Sequence, residues 1–181
     1  YLNKFHKQFP HVHIKVTNQT SIACASLLEH GQVDFIVVNY PNSALSSTHI
    51  PRVINEFHDV FVANRQYFPL DDREVSLASL QKYPILMLDR KSTTSEFLHA
   101  MFQRSHLDLV PEIELSSNDL LIDLARIGLG IAFVPDFCIP ADDKDLFVVK
   151  LKEELPKRQM VVAYNERMPL SQTAKQFMSM L

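Results

Sequence analysis

The stretch that most constrains this chain runs from residue 113 to residue 137, IELSSNDLLIDLARIGLGIAFVPDF. Ile113, Glu114 and Leu115 alternate as a short strand would. Ser116 or Ser117 can cap a following helix, and Asp119 sets a carboxylate in its first turn, at the positive end of the helix dipole. Leu120, Leu124 and Ile127 fall on one helical face. Gly128 suits the left-handed residue that ends a helix. Gly130 then opens a buried strand over residues 131–134, and Pro135 closes it. A strand–helix–strand unit this tight belongs to an α/β layer packing on itself.

The flanking chain reads the same way. Residues 1–9 suit a helix with Leu2, Phe5 and Phe9 on one face, ended by Pro10. Residues 11–16 alternate as a strand, with Val12, Ile14 and Val16 on one face. A helix is expected over residues 22–30, with Gly31 as its stop. Residues 33–38 are nearly continuous in apolar side chains, which suits a central parallel strand reached by a right-handed crossover. Residues 39–48 are a polar loop, and residues 53–57 and 59–63 are strands. Residues 68–72 form a surface turn, residues 76–80 a helical turn and residues 84–88 a buried strand. Thr93 and Glu96 match a capping box, and Phe97, Leu98, Met101 and Phe102 continue as a helical core stripe. An acidic turn over residues 142–145, strands over 146–151 and 159–164, and a closing helix over 170–181 complete the chain. Alternating strands and helices predict an α/β fold with mostly parallel sheets.

Composition removes several function classes. The 181 residues carry a formal charge of −3 and no Lys/Arg cluster beyond pieces such as Lys157-Arg158. A nucleic-acid module would show a basic face, so this chain by itself is not read as a DNA binder. No apolar run approaches the roughly 20 residues of a membrane helix. The two cysteines, Cys24 and Cys138, are far apart and read as buried, reduced thiols of a cytoplasmic protein. Three glycines cannot build either phosphate-binding loop, and neither G-x-S-x-G nor H-E-x-x-H occurs. His11 and His13 could face one side of a strand, but no Cys or carboxylate nearby completes a tetrahedral metal set. Asp34 reads as a hydrogen-bonded strand-end carboxylate rather than a catalytic acid. No metal and no cofactor is implied.

The remaining chemistry lies in hydroxyl-rich helix starts, Thr20-Ser21 and Ser92-Thr93-Thr94-Ser95. Helix N-termini present unpaired N–H groups and a positive dipole end, which suit a small carboxylate or a similar anion without a basic side chain. The same residues also serve simply as helix caps.

The run SSNDLLIDLARIGLGIAFVPDF resembles the late segment of the effector-binding domain of LysR-type transcriptional regulators. The likeness continues in order through FHKQFPHVHIKVTN, LLEHGQVDFIVVN, DVFVA, YPILML with its Ser/Thr run, and LPKRQMVVAY with a last helix. The resemblance implies two Rossmann-like lobes of the type II periplasmic-binding-protein kind. Residues 1–61 and 148–181 would form lobe I and residues 62–147 lobe II. It implies a small anionic effector in the inter-lobe cleft, contacted by Thr20, Ser21, Asn39, Ser92, Thr93, Thr94 and Phe133. It also implies self-association as a dimer or tetramer, DNA contact only through a winged helix-turn-helix upstream of this chain, and a cytoplasmic location. The family's first strand and polar loop have no counterpart here, so the chain reads as a fragment with an incomplete site. Two other functions share the fold type: an extracytoplasmic solute-binding protein, and a prephenate-dehydratase-like enzyme. The second would use a Thr beside Arg and Asp, and Asp89-Arg90-Lys91-Ser92-Thr93 holds those types in the wrong order.

Overall fold

The computed structural model describes residues 1–181 and divides them into two compact units. Unit 1 holds residues 1–56 and 159–181; unit 2 holds residues 57–158. The family resemblance implies boundaries after residues 61 and 147 instead.

Unit 1 contains helix α1 (Leu2–Gln8), helix α2 (Ser21–Glu29), strand β1 (Ile36–Tyr40) and all but the last residue of strand β2 (His49–Phe57). From the far end of the chain come most of a long strand, Arg158–Asn165, and the last helix, Gln172–Met180. The sheet runs β1, then the 158–165 strand, then β2. Ile36 lies opposite Ala163 in an antiparallel ladder. Ala25, Leu28, Ile36, Val38, Val161 and Ala163 form the core. Phe177 of the last helix meets the rings of both Phe5 and Phe35.

Two expectations fail in this unit. Residues 11–16 form no strand, and Ile14 and Val16 are exposed. Alternation makes a strand only where a neighbour takes up the backbone hydrogen bonds, and this segment joins neither edge of the sheet. Residues 36–40 form an edge strand, antiparallel rather than central and parallel. The neighbour that sets its direction lies more than a hundred residues away, and only one face is covered: Val37 is 43% exposed.

Unit 2 is a five-stranded sheet between helices. Its strands are β3 (Asp59–Asn64), β4 (Ile85–Leu88), β5 (Ile113–Leu115), β6 (Ile131–Pro135) and β7 (Leu146–Val148), so the strand over 158–165 is β8. Its helices are the short α3 (Leu77–Leu80), α4 (Thr93–Arg104) and α5 (Asn118–Arg126); the last helix of unit 1 is thus α6. The spatial order is β5-β4-β6-β3-β7. Side chains alternate across the sheet with period two. Ile85, Met87, Phe61, Ile131 and Phe133 meet Leu98 and Phe102 of α4 on one face. Leu86, Leu88, Val62, Ala132 and Val134 meet Leu121, Ile122 and Ala125 of α5 on the other. Coverage on both faces is why β4 and β6 are continuous apolar runs.

The sheet is mixed, which corrects the expectation of mostly parallel strands. β4 runs parallel to β5 and β6, whereas β3 runs antiparallel to β6 and β7. Parallel pairs need a crossover helix, and only α4 and α5 supply one inside this sheet. The face of α5 also differs. Leu120 and Ile127 are 47% and 61% exposed, while Leu121, Ile122 and Ala125 point into the core. Of the three residues read as the core face, only Leu124 packs against that core; Leu120 and Ile127 point outward. Phe68 and Leu70, read as a surface turn, are buried in the same core as Phe102.

Gly130 shows why the β4–β6 junction tolerates no side chain. A Cβ there would lie 2.6 Å from the Pro84 carbonyl oxygen and 2.7 Å from Leu86. That carbonyl accepts the Ile131 N–H at 2.8 Å, so the close approach is part of the ladder itself.

Candidate functional site

β4 ends at Leu88, and the chain turns through Asp89–Lys91 into α4. Asp89 shapes the turn: its side chain accepts the Lys91 N–H and its carbonyl accepts the Ser92 N–H. Ser92, not Thr93, is the N-cap. Its backbone is extended, and its Oγ accepts the Ser95 N–H at 3.1 Å. The capping-box register is therefore one residue earlier than the Thr93–Glu96 pair suggests. Both Ser and Thr can cap a helix, Ser the better of the two, and here the turn from β4 delivers Ser92 to the cap. Ser92, Thr93, Thr94 and Ser95 are all buried. Buried polar groups demand partners, so the surroundings of these hydroxyls carry chemical information.

The partner of Thr94 is the least legible residue of the site. Arg158, at the start of β8, donates from Nη1 to Thr94 Oγ1 at 3.3 Å and to Asp59 Oδ2 at 2.6 Å. Asp59 opens β3, 99 residues away in sequence. The Asp59 side chain is fully buried and that of Arg158 is 2% exposed. Burial pushes the Asp59 carboxyl above its usual range, against the opposing pull of Arg158 and of a Thr94 hydrogen bond. The Arg158 guanidinium also lies 5.4 Å from the ring centre of Phe57 and 5.2 Å from that of Phe97, within cation–π range. Asp59 Oδ1, Ser95 Oγ, and Nε and Nη2 of Arg158 are buried without partners.

Beside this knot, Asp136 accepts the His58 N–H. Cys138 packs on the α5 side of the sheet, and burial, with nearby Asp119, Asp59 and Asp136, pushes its thiol up to about 11. Cys24 in α2 is also raised by burial, and both thiols are free.

Unit 1 brings together a second group. Thr20 caps α2, its hydroxyl accepting the Ala23 N–H at 3.3 Å. Ser21 Oγ accepts the Asn39 N–H at 3.1 Å, which ties the start of α2 to β1. Asn42, which the sequence reading did not single out, is buried and donates to the Ser21 carbonyl.

Of the residues singled out in the sequence, the structure thus groups Thr20, Ser21 and Asn39 in unit 1, and Ser92, Thr93 and Thr94 in unit 2. Phe133 is a fully buried core residue of unit 2, packed between Phe61 and Phe97. Asp59 and Arg158 were missed. The only signal was a charge at the threshold of an apolar strand, DVFVA and RQMVVAY, and many such charges are solvated. His11 and His13 lie on an exposed coil, and no three His, Cys, Asp or Glu side chains gather closely enough to hold a metal. No helix is long and apolar enough to cross a membrane.

Comparison with known proteins agrees with this architecture. The family model described as the LysR substrate binding domain matches residues 1–181. The HTH-type transcriptional activator CmpR of Synechocystis is 23% identical over 99% of this chain, which spans 59% of the length of CmpR. The CcmR regulatory domain of Synechocystis, solved in complex with 2-PG, superposes with a TM-score of 0.88 at 19% identity, covering 99% of this chain and 86% of that one. The effector-binding domain of QuiR, solved in complex with shikimate, gives 0.82 at 14% identity over 98% and 85%. The two-sheet α/β architecture is the type II periplasmic-binding-protein-like fold, and the chain belongs to the LysR substrate-binding-domain family.

Proposed function

We propose that this chain is the ligand-sensing part of a transcriptional regulator and that its effector is a small oxyanion held at the start of α4. The observation that carries the reading is the run of four buried hydroxyl residues, Ser92 to Ser95, opening a 12-residue helix. A helix start of this kind combines unpaired N–H groups with a positive dipole end. The relatives' bound molecules, 2-PG and shikimate, support a small polar effector. Thr20, Ser21 and Asn39 of unit 1 are assigned effector contacts by the family resemblance, and the Ser21 hydroxyl accepts the Asn39 N–H. Phe133 supports the site indirectly, through its contact with Phe97 of α4.

In this reading the effector acts by population shift: it favours whichever arrangement it binds more tightly, and only that difference in affinity moves the equilibrium. The chain performs no catalysis, assembles as a dimer or tetramer in the cytoplasm, and reaches DNA only through a separate domain. The alternative readings, a solute receptor or a dehydratase-like enzyme, have no observation in their favour.

The test is calorimetric titration of the chain with 2-PG and with shikimate, before and after Thr93→Ala and Thr20→Ala. Loss of a hydroxyl that bonds an anion is expected to weaken binding about tenfold. Unchanged affinity in both variants would refute the assignment.

A further inference from the structure

Arg158 carries hydrogen-bonding capacity that neither the fold nor its ion pair uses. Its contact with Asp59 runs through one nitrogen and one oxygen, Nη1 and Oδ2 at 2.6 Å. The same nitrogen serves Thr94. Nε and Nη2, the other two nitrogens, are buried and without partners. These two form one side edge of the planar guanidinium, the edge that grips two oxygens of a carboxylate or phosphate in parallel. Desolvated N–H groups left unpaired are unfavourable, and more so on a cation. A guanidinium serving only as a structural partner for Asp59 would be expected to present that two-pronged edge to it. Instead Asp59 holds the opposite corner, and the rings of Phe57 and Phe97 lie close by.

We propose that the Nε/Nη2 edge of Arg158 receives the acid group of the effector, so that Arg158 is the residue that selects an oxyanion over an uncharged ligand. The proposal rests on the reading that the effector binds at the start of α4. Two independent observations meet there: the N-terminus of α4, and a cation that is nine-tenths buried, hydrogen-bonded to that helix's own Thr94, with an unused edge. The buried Ser95 hydroxyl, also without a partner, adds a donor in the same helical turn. Nε and Nη2 of Arg158 are closed to water in this structure, so binding there requires the side chains over them to move aside. In such dry surroundings a charge-assisted contact is stronger than one at the surface. Thr94 links the guanidinium to the helix.

The experiment compares Arg158→Gln, Asp59→Asn, the double variant Asp59→Asn/Arg158→Gln and Thr93→Ala, each titrated with orthophosphate, 2-PG and shikimate, with thermal melts alongside. Arg158→Gln is expected to weaken binding about 10- to 100-fold, the loss of charge-assisted hydrogen bonds. Asp59→Asn keeps the cation and removes a competing carboxylate, so affinity should hold or rise. A purely structural ion pair predicts the reverse pattern, in which both single variants lose binding alike; that result would overturn the proposal. If Arg158→Gln fails to fold, the double variant decides, because it leaves no buried charge unpaired. A folded double variant that binds like wild type overturns the proposal. If that happens while Thr93→Ala is weakened, the site at α4 stands and only the role of Arg158 falls. Should the wild-type chain bind none of the three probes, both readings fall. A loss confined to orthophosphate and 2-PG identifies the acid group as a phosphate, and a loss extending to shikimate identifies a carboxylate; either outcome supports the assignment.

Discussion

Gly130→Ala is the most incisive test of how unit 2 is built. The new methyl carbon would stand 2.6 Å from the Pro84 carbonyl oxygen, and 2.7 and 2.8 Å from Cδ2 and Cγ of Leu86. None of these atoms can yield easily. The carbonyl belongs to the backbone and holds the Ile131 N–H at 2.8 Å. Leu86 is fully buried on the α5 side of the sheet. Relief requires β4 and β6 to separate at this end, which sacrifices a buried ladder bond as well as packing. Overpacking of a tight core destabilises by about 1–3 kcal/mol, and a buried backbone bond adds about 1 kcal/mol, so a loss of about 2–4 kcal/mol is expected. For a chain of this size that corresponds to a fall in Tm of about 5–15 °C. Thermal and urea denaturation would measure it, and amide exchange would show the Ile131 N–H losing protection. A Tm within about 2 °C of wild type would refute the argument, because the strands would then have room that the structure denies them.

Two further outcomes follow from the same physical picture. Burial holds the Asp59 carboxyl above its ordinary value of 3.8, so the folded chain binds that proton more tightly than the unfolded chain. The associated stability is fully present below 3.8 and is lost as pH rises through the higher folded value; melts of Asp59→Asn across acid pH should lack this downward slope, and a slope identical to wild type would contradict the assignment. On α5, Leu121→Ala should destabilise by about 2–5 kcal/mol while Ile127→Ser stays within about 0.5 kcal/mol, measured by urea unfolding; equal losses would mean that the helix buries a different face.

What could be read from residues alone was local. Capping hydroxyls, helix-ending glycines and apolar runs located the six α-helices, although the register of the α4 cap slipped by one residue and the 3-10 turn Asp136–Cys138 had no signal. Gly31 and Gly128 both take positive φ at helix ends, as their placement in the sequence suggested. The order of these segments also carried the family likeness, because a series of short motifs survives where overall identity is low. The buried strands β4 and β6 were visible as continuous apolar runs.

Tertiary structure decided everything that depends on a partner distant in sequence. Residues 11–16 alternate correctly, yet they stay coil, because a strand exists only when another strand accepts its hydrogen bonds. The edge position of β1 follows from β8, which arrives from the far end of the chain. Leu120 and Ile127 have the right spacing for a core face, but the core of unit 2 lies on the side of Leu121, Ile122 and Ala125. The pairing of Asp59 with Arg158 has no local signature at all. A charge beside an apolar strand is equally compatible with water or with burial, and only the path of the backbone brings its counter-charge within 2.6 Å. Local sequence sets propensities worth fractions of a kcal/mol per residue. Which faces are buried, and which charges meet, depends on burial and electrostatic energies several times larger, which arise only when distant segments come together.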